Sequence, residues 1–462
     1  MTNTRLEHDL LGERNVPAEH YYGIQTLRAV ENFSITGIPI SHYPRLVHSL
    51  AYIKKAAALA NLELGLLPEQ IAQAIAHACD DILKGELLSE FVVDVIQGGA
   101  GTSTNMNANE VIANRALEHL GLSRGRYDII HPLNHINLSQ STNDVYPTAL
   151  RLTLSLKLDG LVVEMQALQK ALADKGAEFV DVIKMGRTQL QDAVPMTLGQ
   201  EFEAWSVMVG EDICRVGEAQ ALIREINLGA TAIGTGLNAP PNYAALVTTR
   251  LREISGVPVV QSQNLVEATQ DAGAYVQLSG VLKRVAVKLS KISNDLRLLS
   301  SGPRAGLGEI NLPPMAPGSS IMPGKVNPII PEVVNQVAFE VIGNDLTVTM
   351  AAEAGQLELN AMEPVIAYSL FTSLDMLRRA CRTLVERCIR GITANTAHCR
   401  QLVENSIGLV TALNPLLGYE KTSQIAEEAL RTGKSVVEVV LEKGYLTEAE
   451  LEQVLSPHKM IR

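Results

Sequence analysis

The 462-residue chain is longer than one hydrophobic core normally organises, so two or three domains are expected. Its formal net charge of −11 argues against nucleic acid and membrane partners, because such a surface gains neither counterion release nor attraction from them. Hydrophobic residues at 46% are ordinary for a globular protein, while aromatics at 4%, with Trp205 as the single tryptophan, leave the core to Leu, Val, Ile, Ala and Met.

The N-terminal stretch MTNTRLEHDLLGERN alternates acidic and basic residues without an apolar segment, so no secretory signal is expected. No apolar run reaches bilayer length, and a cytoplasmic location is the expectation. Residues 1–141 mix short helices with loops rich in Gly and Asn and form an expected N-terminal, mainly helical domain. After Pro147 the apolar positions Leu154, Leu158, Leu161, Met165, Leu168 and Leu172 mark one face of a long helix. A second stripe, Leu282, Val285, Leu289, Ile292, Leu296 and Leu299, stops at Gly302-Pro303. Further long helices are predicted near 199–227, 331–360 and 364–393. Five long helices joined by short Gly/Pro loops read as an antiparallel bundle domain over 142–396, in a mostly α fold of three domains. Val281, Val287 and Leu298 fall off the main stripe, so the bundle needs more neighbours than one chain supplies and an oligomer is expected. A small helical domain, 397–462, contains Thr447-x-x-Glu450, a capping box opening a last short helix.

Five cysteines (Cys79, Cys214, Cys381, Cys388, Cys399) show no C-x-x-C pair and read as small buried hydrophobes of a reducing compartment. No cluster has metal-ligand spacing, so no metal site is expected.

Three polar, Gly-rich loops interrupt the helical sequence. They are Gly98-Gly99-Ala100-Gly101-Thr102-Ser103-Thr104-Asn105, Ser139-Gln140-Ser141-Thr142-Asn143-Asp144 and Gly318-Ser319-Ser320-Ile321-Met322-Pro323-Gly324-Lys325-Val326-Asn327-Pro328. A smaller fourth loop, Gly186-Arg187-Thr188-Gln189, lies between two long helices. Each could be a plain turn. Gathered in one place, their hydroxyls, amides and backbone donors would bind an anion without net positive charge. A phosphate-binding P-loop is rejected because five residues separate Gly318 from Gly324 and Val326 follows Lys325. A serine-hydrolase reading fails for want of G-x-S-x-G around Ser319 or Ser320. All ten histidines lie at or before His135 or from His398 on, so a base acting inside the bundle is not a histidine of its helices. A carboxylate pair could serve, but the donor-rich loops are poor in carboxylates, which leaves a serine or a lysine.

The third loop, from Gly318 to Pro328, resembles the signature of the fumarase/aspartase superfamily, and the first two loops are similar to its other active-site regions, over essentially the whole chain. Finer marks are similar to its ammonia-lyase branch rather than to class II fumarate hydratases: the segment 351–360, the Tyr21-Tyr22-Gly23 stretch with Gln25 to Arg28, and Gln189 where fumarases, and some members of the ammonia-lyase branch, carry a histidine. The chain also stops a few residues short of the usual C-terminal tail. The resemblance implies reversible elimination of ammonia from L-aspartate to give fumarate through an aci-carboxylate. It assigns Thr102, Ser141, Thr142 and the amides around Ser319 to the β-carboxylate, with Ser319 as general base and Ser320 as the lesser alternative. Lys325, Asn327 and Thr188 are assigned to the other carboxylate, and Asn143 and Gln189 to the amino group. It further implies a homotetramer with active sites shared between subunits, and chemistry that requires no cofactor, an activating divalent cation being an option. The rival readings are a fumarate hydratase, a non-catalytic helical scaffold, and an enzyme for a modified aspartate.

Overall fold

A computed structural model of the protein describes residues 3–454. A short hairpin, β1 (Thr4–Asp9) and β2 (Gly12–Pro17), precedes α1 (Ile24–Asn32), α2 (Pro44–Glu63), α3 (Glu69–Leu83) and α4 (Thr102–His119). The long α5 (Thr142–Glu178) leads through a second hairpin, β3 (Ile183–Thr188) and β4 (Gln191–Thr197), into α6 (Leu198–Ile223). After α7 (Tyr243–Ser255) and α8 (Leu265–Gln270) come the long helices α9 (Gly273–Leu299), α10 (Ile329–Glu353) and α11 (Glu363–Arg387). Five short helices close the described chain: α12 (Thr396–Asn405), α13 (Leu409–Leu417), α14 (Tyr419–Thr432), α15 (Val436–Glu442) and α16 (Glu448–Val454).

The five predicted long helices are therefore present, and their apolar stripes explain why. Leu154, Leu158, Leu161, Leu168 and Leu172 are fully buried, as are Ile292 and Leu296 on α9. The boundaries differ: α10 ends at Glu353 and α11 at Arg387, short of the expected 360 and 393, and α5 begins at Thr142, ahead of Pro147. Pro147 lacks the N–H that would bond the carbonyl of Asn143. The side chain of Asn227 supplies that bond instead, at 3.0 Å, so the helix tolerates the proline.

The chain divides into two compact units. The first runs to Leu161 and takes in Arg215–Lys283 and Glu340–Asp375; the second takes Val162–Cys214, Arg284–Phe339 and the chain from Met376 on. All five long helices contribute residues to each unit. Within the first, Gln220 of α6 donates to Ser155 and Asp159 of α5, Lys157 of α5 pairs with Asp375 of α11, and Lys283 of α9 pairs with Asp345 of α10. Within the second, Ser206 of α6 donates to the Gln169 carbonyl, and Gly199 lies against Gly176, so α5 and α6 run antiparallel there. Also in the second unit, Arg284 and Lys288 of α9 hold Asp212 of α6, and Asn335 of α10 bonds Ser290 and Asn294 of α9.

The capping box at the start of α16 is formed, with Thr447 and Glu450 exchanging bonds. Four of the five cysteines are buried as expected, but Cys214 on α6 is exposed. Its helix turns that position outward between Asp212 and Val216, which the scattered spacing of the cysteines did not reveal. Along α10, Phe339, Leu346 and Met350 are also exposed on one side of the helix, an apolar face left uncovered by the described residues.

Glu363, at the start of α11, is buried, and burial pushes its carboxyl up to about 8 while the Arg151 guanidinium opposes the shift. A carboxyl raised from the ordinary 4.5 is favoured in its protonated form by the fold, so its contribution is full at low pH and is lost as pH rises toward 8. Replacing Glu363→Gln is expected to flatten this decline, so the variant gains melting temperature relative to the parent as pH rises through that window. Parallel melting curves across that range would discard the assignment.

Candidate active site

In the first unit, two helix N-termini are built side by side. The loop before α4 turns sharply: Gly99, Ala100 and Gly101 have φ of 89°, 54° and 87°. Gly101 is required twice over, by that left-handed backbone and because an added Cβ would lie 2.3 Å from the Tyr146 ring. Gly101→Ala is therefore expected to cost about 2 kcal/mol or more, combining left-handed strain with overpacking, and thermal unfolding will report it. The turn exposes Thr102 at the first position of α4, where its hydroxyl donates to the Gly99 carbonyl at 2.7 Å.

Ser141, Thr142 and Asn143 open α5 in the same unit. The Ser141 oxygen accepts the Asn143 N–H at 3.2 Å, and the Thr142 hydroxyl accepts from the Asn105 amide of α4 at 3.0 Å, which ties the two helix starts together. Asn143 donates through its side chain to the Ala232 carbonyl at 2.8 Å. The fully buried Asp144 accepts the backbone N–H groups of Ser141, Gly229 and Thr231 and so fixes the turn. Two helix N-termini that meet through Asn105 and Thr142 bring the positive ends of their dipoles to one place, which favours an anion there.

Lys54 of α2 was missed by reasoning from the sequence. It is fully buried and donates to Asn137 and Gln140, each at 2.9 Å. Asn137 also accepts from Asn105, so the ammonium is linked to the start of both helices. Burial pushes Lys54 down to about 7, opposed by the Asp144 charge, and pushes Asp144 up to about 7, opposed by its three amide donors and Lys54. A signal did exist: Leu50, Lys54, Ala57 and Asn61 share the buried face of α2, an unusual place for a lysine.

The second unit carries the other groups. The predicted fourth loop is instead a hairpin: Gly186, Arg187 and Thr188 end β3, and Gln189 and Leu190 make the two-residue turn, with φ of 53° and 61°. Such a turn usually announces itself by Asn-Gly, and its absence here hid the strands. Thr188 and Gln189 are exposed at the tip. In the third loop the Ser319 oxygen accepts the N–H of Ile321 at 3.2 Å and of Met322 at 3.1 Å. Gly318 closes the loop by donating to the Lys325 carbonyl at 2.7 Å, so tightly that an added Cβ would lie 2.6 Å from that oxygen. Asn327 donates to the Gly318 carbonyl at 2.8 Å, while Ser320 and Lys325 are exposed.

A family profile described as Lyase matches residues 12–343, and one described as Fumarase C C-terminus matches 409–462. The chain belongs to the fumarase/aspartase superfamily. Among relatives of this superfamily, it is 62% identical to the aspartate ammonia-lyase of Pseudomonas fluorescens, over 99% of this chain and 96% of that protein. It is 55% identical to the aspartate ammonia-lyase of Escherichia coli K12, again over 99% of this chain and 96% of that one. Among solved structures, a Brucella melitensis fumarate lyase:delta crystallin bound to cobalt superposes with a TM-score of 0.97 at 58% identity, covering both chains fully. A class II fumarase from Schistosoma mansoni gives 0.93 at 36% identity, over 99% of each chain. Among the described residues, no helix is long and apolar enough to cross a membrane, and no three His, Cys, Asp or Glu side chains are grouped to hold a metal ion.

Proposed function

We propose that the protein catalyses the reversible elimination of ammonia from L-aspartate to give fumarate. The observation that carries this reading is the Ser319 loop, where two backbone amides converge on one serine oxygen, in a chain 62% identical over nearly its whole length to an aspartate ammonia-lyase. Removing the β-proton of aspartate places two negative charges on the neighbouring carboxylate, so fixed donors aimed there are the main requirement. Ser141 and Thr142 supply short neutral donors at one helix N-terminus, and Thr102 at the other joins them by turning its hydroxyl from the Gly99 carbonyl to the substrate. The oxygens of Ser141 and Thr142 already accept protein hydrogen bonds, which leaves each hydroxyl proton available. Ser319, as the alkoxide, takes the β-proton, and the C–N electron pair leaves with ammonia as the double bond forms. Ser320 is the second choice for this role.

Lys325 and Thr188 receive the other carboxylate together with Asn327, whose amide has a second N–H beyond the one given to Gly318. Asn143 and Gln189 face the amino group. The Gln189 carbonyl accepts from an ammonium but does not protonate a leaving hydroxyl, which favours aspartate over malate. The proposed steps run on the chain's own groups and call for no cofactor; an activating divalent cation stays outside them. Self-association into a homotetramer with shared active sites is part of the proposal, and the exposed apolar face of α10 supports it.

Offering aspartate, malate and N-substituted aspartates separately while following the ultraviolet absorbance of fumarate tests the reading. Turnover of aspartate is expected. Preference for malate would make the protein a fumarate hydratase, preference for a substituted aspartate would move its specificity, and no turnover would leave a scaffold. Mixing an inactive Thr102 variant with an inactive Ser319 variant is expected to restore part of the activity if sites are shared.

A further inference from the structure

In the second unit, Glu309 is completely buried, yet it belongs to none of the loops that carry the proposed chemistry. One carboxylate oxygen meets the Arg187 guanidinium at 2.5 Å, and the other stands 3.4 Å from the Lys184 ammonium. Both cations project from β3, and Arg187 directly precedes Thr188. The Glu309 backbone is itself fixed, donating to the Leu299 carbonyl and accepting from the Asn395 N–H, each at 2.9 Å. The hairpin is held from its other side as well: Ile183 and Met185 lie in a core with Val403, Leu409 and Leu413, and Ser406 bonds Asp192 at 2.6 Å.

The tip lacks comparable support. Gln189 and Leu190 both occupy left-handed backbone, at about 1–2 kcal/mol each, and a two-stranded hairpin is marginal alone. Strained tips persist where the surroundings over-determine them. We propose that Glu309 is a positioning residue: through Arg187 it sets the place of the Thr188–Gln189 tip against the substrate. A buried carboxylate clamping a guanidinium in a low-dielectric site resists displacement more strongly than a surface pair. The proposal rests on the reading that the tip contacts substrate.

The test compares Glu309→Gln, Thr188→Ala, Gln189→Ala and the two double variants of the full-length protein, by kcat and KM for aspartate and by melting temperature. Misplacement of the tip is expected to lower kcat/KM of Glu309→Gln by roughly tenfold to a hundredfold. In either tip background the same substitution is expected to lose most of that effect, while its shift in melting temperature is unchanged. A structural role alone would give multiplicative losses in every background, and that result overturns the proposal, as would full activity of Glu309→Gln. If both tip variants match the parent, the substrate contact of the tip falls and the proposal falls with it; if the tip variants are impaired but Glu309→Gln acts independently of them, only the role of Glu309 falls. Should Glu309→Gln not fold, Arg187→Lys makes the same comparison from the partly exposed partner, with the same outcomes deciding.

Discussion

Ser319→Ala is expected to lose about 10²–10⁴-fold in kcat, the usual contribution of a general base, while the melting temperature stays within a degree or so of the parent. The reason for the large kinetic effect is that the alcohol supplies the atom that receives the proton. The amides of Ile321 and Met322, at 3.2 and 3.1 Å, aim their positive ends at that oxygen and lower the cost of the alkoxide. The reason for the small stability effect is that the loop is exposed, so water replaces the lost acceptor for both amides. Ser320→Ala is the control. Its side chain is exposed and is expected to matter little; if it is instead the inactive variant, the two serines exchange roles. Stopped-flow or steady-state turnover of aspartate, with calorimetry of the same samples, decides between them.

Lys54→Met is expected to be the most destabilising single change at the site, by about 3–5 kcal/mol, because removing one member of a buried charged network strands the rest. The Gln140 side-chain oxygen loses its donor, and the buried Asp144, which keeps its three backbone donors, loses the nearby positive charge; Asn137 keeps the amides of Asn105 and Asn109. KM for aspartate is expected to rise as well. The cause is the loss of the ammonium's attraction for an anion at the helix starts, which acts in a buried, low-dielectric setting. Lys55→Met is the matched control: its ammonium pairs with Asp80 at 2.6 Å on the partly exposed side of the same helix, where such a pair contributes about 1 kcal/mol at most. Equal denaturation midpoints and equal KM in the two variants would show that Lys54 has no special role.

The two residues show how a protein of net charge −11 can present favourable ground to a dicarboxylate. Favourable potential comes from the helix starts at Thr102 and Thr142 and from one lysine beneath them, whatever the sign of the outer surface. Fixed dipoles and a buried cation act at short range in low dielectric, whereas surface carboxylates are screened.

Read alone, the sequence determined the helical class, the five long helices and the three donor-rich loops, because each leaves a local mark: a 3.6-residue apolar period, a proline or glycine stop, or a run of small polar residues. Tertiary structure decided the rest. The strands around Thr188 were hidden because their turn uses Gln189-Leu190 rather than a glycine pair, and they are held by the docking of Ile183 and Met185 onto later helices and by the Glu309 contact with Arg187. The start of α5 at Thr142 depends on Asn227, more than eighty residues away, answering the carbonyl that Pro147 leaves open. Lys54 and Glu309 acquire their roles from partners contributed by other segments of the chain. Charge burial is a property of what surrounds a residue in space, and a one-dimensional pattern records it only where the neighbours are also close in sequence.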